Sequence, residues 1–308
     1  MIGEGSLDRN GGDKAALMQR TAWAAVAVAG LLVTLKAIAY IITDSISMMA
    51  SLADSGLDLI ASAINLLAIR HALTPADPEH RFGHGKAEPM AGLAQGAFIA
   101  GSATFLVIEA VSRLVSPHRV ENIGLGLGVM AISILAVFLL VFLQRYTVRR
   151  TGSIAIGADF VHYLGDLAVN LGVVVGILLA AEVGWLIADP IVGLAIAGGL
   201  GFSALHVFRQ SYDQLMDHEL PEFDRNRIKT IVMGHDGVRN LHDLRTRAAG
   251  TSTFIQLHIE LDPAISLTRA HQLSDEVEAE ILSAFPRSEV IIHQDPAGLE
   301  KPAALAQS

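Results

Sequence analysis

Hydrophobic residues in this chain gather into six long blocks, approximately 22–42, 46–69, 90–114, 123–142, 154–181 and 185–207. Each block is near the ~20 residues that an α-helix needs to cross a bilayer. A helix satisfies its own backbone hydrogen bonds in hydrocarbon, so the pattern predicts six transmembrane helices. After Val207 the composition changes. From about Asp217 the chain is rich in charge and holds six of the twelve histidines. Residues 222–235 read as a helix with Ile228, Ile231 and Val232 inward, and 238–248 and 253–261 read as strands. Thr268 is the expected cap of a helix through Phe285 that carries Leu273, Val277, Ile281 and Leu282 at helical spacing, and 290–293 read as a short closing strand. The order αββαβ predicts a small two-layer α+β domain of ferredoxin-like, or metallochaperone-like, type. The expected division is a polar N-terminus (1–20), a six-helix transmembrane domain (21–210), a C-terminal domain (211–297) and a frayed tail (298–308).

Basic residues orient the blocks. Arg9, Lys14 and Arg20 precede the first; Arg70, Arg81 and Lys86 lie between the second and third; Arg145, Arg149 and Arg150 lie between the fourth and fifth. The opposite loops carry Arg113 and Arg119. Excess positive charge marks the cytoplasmic side, so both termini are expected there.

Two blocks are interrupted by charge. Asp54 and Asp58 stand four apart in the second, on one helix face. The fifth contains Asp159-Phe-Val-His162-Tyr-Leu-Gly-Asp166. Ionised carboxylates in hydrocarbon are costly, face the protein interior and are usually functional. Running the two helices in opposite directions puts Asp58 about 11 residues, and His162 about 8 residues, from the cytoplasmic boundary. That is roughly 12–17 Å for both at 1.5 Å per residue. Asp54 and Asp166 match one turn further out. Asp54, Asp58, His162 and Asp166 are therefore expected to form a four-ligand site for a divalent cation. Lys36 is the nearby intramembrane lysine and cannot neutralise three carboxylates alone. Metal binding requires deprotonated ligands, so metal and protons compete. Imidazole, with an unperturbed pKa near 6.5, makes His162 the natural switch.

Composition sharpens this picture. The 308 residues are 52% hydrophobic and 17% charged, too apolar for an ordinary soluble domain. Cysteine is absent, which excludes disulfides, thiolate metal sites and cysteine nucleophiles. Any metal must be held by His, Asp and Glu. A net charge of −9 argues against nucleic acid as partner.

Further motifs carry a family resemblance: the loop Pro75-Ala-Asp77-Pro-Glu-His80-Arg-Phe-Gly-His84-Gly-Lys86, and the tail stretches His242-Asp-Leu-Arg-Thr-Arg247 and Ile291-Ile-His-Gln-Asp295. With the aspartate and histidine pairs, six blocks and αββαβ tail, the chain resembles the cation diffusion facilitator family over roughly residues 15–297. The resemblance implies a homodimer in the bacterial inner membrane that exports Zn²⁺, Cd²⁺ or Fe²⁺ in exchange for protons, with Zn²⁺ as both cargo and regulator. It implies a second, three-ligand site at Asp77, His80 and His84, whose plainer reading is a solvated polar loop. It implies a Lys86–Asp217 pair that holds membrane and cytoplasmic parts together at the dimer interface. It also implies a binuclear zinc site from His242, His258, His271, His293 and Asp295. The plainer reading there is a set of surface histidines, although His293 and Asp295, two apart, share a sheet face.

Other features take the plain reading. Gly124-Leu-Gly126-Leu-Gly128 lacks a preceding strand and suits close helix packing. His71, His118, His206, His218 and His235 stand isolated in sequence, and Lys36 and Glu109 are open to pairing or snorkelling. Three rivals compete with a metal/proton antiporter. An intramembrane metalloenzyme needs an open coordination position and a general base, and there is no HExxH. A sodium/proton antiporter fits poorly with an imidazole and a histidine-rich tail. A membrane-anchored metal sensor predicts metal binding without flux. Zn²⁺, Cd²⁺, Fe²⁺ and Mn²⁺ all suit the ligand set.

Overall fold

The computed structural model describes residues 4–43, 46–115, 124–182 and 188–298. His118, Arg119, the start of the fourth and sixth blocks and the tail 301–308 lie outside the described residues. Six long helices come first: α1 (Glu4–Thr43), α2 (Ile46–Ala72), α3 (Ala87–Val115), α4 (Gly124–Thr151), α5 (Ile154–Glu182) and α6 (Ala188–Leu215). Then follow α7 (Glu222–Met233), β1 (Asn240–Ala249), β2 (Ser252–Leu261), α8 (Leu267–Ala284) and β3 (Ser288–Pro296). The chain separates into two compact units, with boundaries between Gly11 and Gly12 and between Tyr212 and Asp213.

In the first unit, α1, α2, α3, α4 and α6 each contain a run long and apolar enough to cross a membrane. Together with α5, whose apolar run is broken by Asp159 and Asp166, they make the six-helix transmembrane domain. Ile41, Phe105, Phe142, Phe202 and Leu205 turn outward with about 70% or more of their surface exposed, as lipid-facing side chains do. Polar pairs stitch the helices inside: Thr21 to Thr147 (2.7 Å) and Ser62 to Tyr163 (2.8 Å). Small residues mark the closest approaches. A Cβ on Gly92 would stand 2.3 Å from Ser211 Oγ, and one on Gly172 would stand 2.6 Å from Ile196 Cδ1. Gly128, in the glycine run that opens α4, has no neighbour within 4 Å of such a Cβ among the described residues.

In the second unit β2 is central, antiparallel to β1 and parallel to β3. Ile255, Leu257, Ile259 and Leu261 alternate along β2, and α7 and α8 cover that face with Ile228, Val232, Leu273, Val277 and Ile281. The helix α8 is capped by Ser266, whose Oγ accepts from the Arg269 N–H (3.2 Å), so the cap lies two residues before Thr268. The last strand runs to Pro296, past the expected 290–293, which places Asp295 inside the ladder. Ile255 is fully buried in this core. Ile255→Ala is expected to destabilise the domain by about 2–5 kcal/mol, read from its thermal or urea unfolding; a change under about 0.5 kcal/mol would show that the site collapses freely.

Candidate metal centres

Antiparallel packing of α2 and α5 brings Asp58 to His162, as the depth arithmetic requires. His162 Nε2 lies 3.0 Å from Asp58 Oδ1 and 3.8 Å from Asp166 Oδ2. Ligand atoms of Asp58, His162 and Asp166 all fall within 4.8 Å of one another, and Asp58 and His162 are buried. Two carboxylates and one imidazole thus converge on a volume the size of a single cation, from helices 104 residues apart in sequence.

Asp54 does not join them. Its side chain is exposed, one turn further along α2. Lys36 reaches across from α1, where its Nζ donates to Ser55 Oγ (2.6 Å) and Ser51 O (3.2 Å). That places positive charge on α2 beside the carboxylates and answers the question the sequence leaves open for this lysine.

Three buried polar residues beside the cluster carry no role in the sequence reading. Asp159 is buried on α5, one turn from His162, and accepts from Gln144 Nε2 (2.7 Å) and Gln95 Nε2 (3.5 Å). These amides come from α4 and α3, so one carboxylate joins three helices. Glu88, buried in the first turn of α3, accepts from the Ala155 N–H (3.4 Å) and caps the start of α5. Asn65 donates to the Ala155 carbonyl (3.3 Å).

The loop between α2 and α3 gathers the second group. Prolines and glycines around Asp77 turn the chain tightly, with Gly83 at φ +75°. Asp77 Oδ1 accepts from the backbone N–H groups of His80 (2.6 Å) and Glu79 (2.9 Å). Its carboxylate also lies 3.4 Å from His80 Nδ1 and 3.2 Å from His84 Nε2. The backbone bond from His80, then that from Glu79 and the neighbouring imidazoles, hold the Asp77 carboxyl below the usual carboxylate range despite the opposing effect of desolvation. The ligand atoms of Asp77, His80 and His84 lie within 4.8 Å of one another. His84 Nδ1 is buried without a hydrogen-bond partner among the described residues.

On the open face of the C-terminal sheet, register lines up three histidines. His242 on β1 pairs with His258 on β2, and His258 pairs with His293 on β3. All three reach the buried Asp295: His258 Nδ1 at 2.8 Å and His242 Nε2 at 3.3 Å from Oδ2, His293 Nε2 at 3.1 Å from Oδ1. His242, His258 and Asp295 form the compact ligand group, and His242 Nδ1 is buried without a hydrogen-bond partner among the described residues, 3.6 Å from Glu260 Oε1. The residues fit a resident metal. His271 does not join them: it is exposed on α8 beside Asp275 (3.6 Å), and α8 covers the opposite, apolar face of the sheet. Lys86 belongs to the first unit and Asp217 to the second, where Asp217 pairs with Arg247 at 3.3 Å. His235 is not isolated, since it bonds the Ile231 carbonyl (3.0 Å) and pairs with Glu280 (3.3 Å).

Residues 22–216 match the cation efflux transmembrane domain, and residues 220–297 match the cytoplasmic domain of cation efflux proteins. The chain is 43% identical over 280 residues to proteins named cation-efflux pump FieF from Salmonella agona (strain SL483) and Salmonella newport (strain SL254). In both cases the match covers 91% of this chain and 93% of the relative. The metal-bound C-terminal domain of the CzcD transporter from Thermotoga maritima is 29% identical, over 27% of this chain and all of that one, with a TM-score of 0.25. Matched in both domains and along nine-tenths of its length, with a carboxylate and imidazole cluster buried between transmembrane helices, this chain belongs to the cation efflux family: a multi-pass membrane transporter and not an enzyme.

Proposed function

We propose that the protein exports divalent transition-metal cations from the cytoplasm in exchange for protons, with Zn²⁺ as cargo and Cd²⁺ and Fe²⁺ as further substrates. The observation that carries this reading is the buried convergence of Asp58, His162 and Asp166 from two helices. The cargo ion binds only when His162 is neutral and the carboxylates are ionised, so binding releases protons and protonation ejects the ion. Alternating access follows. The site loads on the less acidic cytoplasmic side, turns outward and is emptied by protons. Asp54, one turn further out, is placed to become the fourth ligand when α2 and α5 shift against each other. The protein works as a homodimer in the bacterial inner membrane with both termini cytoplasmic. The tail histidines with Asp295 regulate it by binding Zn²⁺ more tightly in one state than the other.

Reconstituted proteoliposomes with a pH step test this directly. Saturable Zn²⁺ uptake that reverses with the sign of the proton gradient is expected, with Cd²⁺ and Fe²⁺ competing. Metal binding without flux for any of these ions, or for Mn²⁺, would replace the reading with that of a membrane-anchored sensor.

A further inference from the structure

At the inner end of α2, one residue before its last, stands His71. Its ring centroid lies 4.5 Å from that of His84, with the planes at 59°. His80 lies at 4.7 Å and 50° from His84. Two imidazoles, one from the loop and one from the helix, thus stand at nearly equal distances from His84. Two imidazoles on one tetrahedral ion, with metal–nitrogen bonds of about 2.0–2.1 Å, have centroids roughly 5 Å apart. Both spacings are near that value. The second observation is His84 itself. Its side chain is 6% exposed, one ring nitrogen faces Asp77, and the other is buried without a hydrogen-bond partner.

Asp77, His80 and His84 supply three donors, whereas resident metal sites close at four. We propose that His71 is the fourth ligand of the loop site, so that a resident zinc-like ion there is bound by three imidazoles and one carboxylate. This rests on the reading of Asp77, His80 and His84 as a metal site. His71 lies outside the group whose ligand atoms are within 4.8 Å of one another, and it joins by rotating its side chain. Its exposure leaves room for that rotation. Its backbone is already fixed, because the N–H and hydroxyl of Thr74 both donate to the His71 carbonyl (3.0 and 2.5 Å).

The fourth ligand changes what the site does. With loop residues alone, an ion would stiffen the loop. With His71, it fastens the loop to α2, the helix that carries Asp58 thirteen residues earlier, about 20 Å away along the axis. Occupancy of the loop then constrains the helix that presents the cargo site.

Co²⁺ titration of the full-length protein in detergent tests this, in a background with Asp58→Asn, Asp166→Asn, His258→Ala and Asp295→Ala that silences the other clusters. One Co²⁺ per chain with intense four-coordinate visible bands is expected. His71→Ala should weaken binding about 10- to 100-fold and fade those bands as water replaces a ligand. The chain has no native cysteine, so His71→Cys supplies a clean reporter: a thiolate-to-cobalt charge-transfer band appears only if residue 71 touches the ion. Unchanged affinity and bands in His71→Ala, while His84→Ala abolishes binding, would leave the loop site standing with three protein ligands and overturn the proposal. No Co²⁺ bound in the background protein would overturn both readings.

Discussion

Asparagine in place of Asp58 is expected to reduce Zn²⁺ flux to background while leaving the protein folded. The substitution keeps the shape and removes the charge that accepts from His162 at 3.0 Å in a buried setting. Truncating one partner of a buried, hydrogen-bonded charge pair costs about 2–5 kcal/mol. At about 1.4 kcal/mol per decade, that is roughly a 30- to 3,000-fold loss of affinity for the cargo. Flux assays and calorimetry on the same preparation separate lost binding from lost turnover. Wild-type flux in Asp58→Asn would remove the cluster from the transport path. Asp54→Asn is the informative companion: its carboxylate stands outside the cluster, so a loss as deep as that of Asp58→Asn means that it enters the site during the transport cycle.

Alanine at Asp295 is expected to have the next largest effect, on regulation and not on the cargo site. One buried carboxylate lies within 3.3 Å of ring nitrogens of His242, His258 and His293. Its loss removes a metal ligand and releases three imidazoles from a shared anchor. Ligands oriented by a common partner lose affinity steeply when that partner goes, and at least a 100-fold drop in Zn²⁺ affinity of the tail is expected. Calorimetry in a background with Asp58→Asn and His84→Ala isolates the tail. Flux in Asp295→Ala alone should persist with a changed dependence on cytoplasmic metal. Tail affinity within threefold of the parent would show that the histidines bind without the carboxylate.

Much of this was legible before any coordinates, because it rests on periodicities that tertiary context cannot easily override. Long apolar blocks have only helices available to them in a membrane, and the i, i+4 pairs Asp54/Asp58 and His162/Asp166 advertise one face of each helix. Simple rise arithmetic aligns Asp58 with His162. It does not decide rotation about the helix axes, which is why Asp54 was expected in the cluster and lies outside it. The tail histidines were readable as a group on strands, whereas His271 was not separable from them. Its side of α8 depends on which face of the sheet that helix covers. Asp159 escaped notice as an anchor because its partners Gln95 and Gln144 lie on α3 and α4, at sequence distances that no local pattern connects. His71 was hidden for a related reason: its neighbour His84 is thirteen residues away across a loop whose path only the folded chain reveals.

The row of histidines across the C-terminal sheet has a consequence for folding. His242, His258 and His293 face one another because each strand pairs in one particular register, and a slip of one residue turns a strand's side chains to the opposite face. In a misaligned sheet at least one imidazole would point into the apolar layer beneath α7 and α8. An ion that needs all three strands therefore binds only the correctly threaded sheet, and by mass action it draws newly made chains toward it. With the tail holding the ion proposed above, metal capture would favour the correctly paired sheet over mispaired ones.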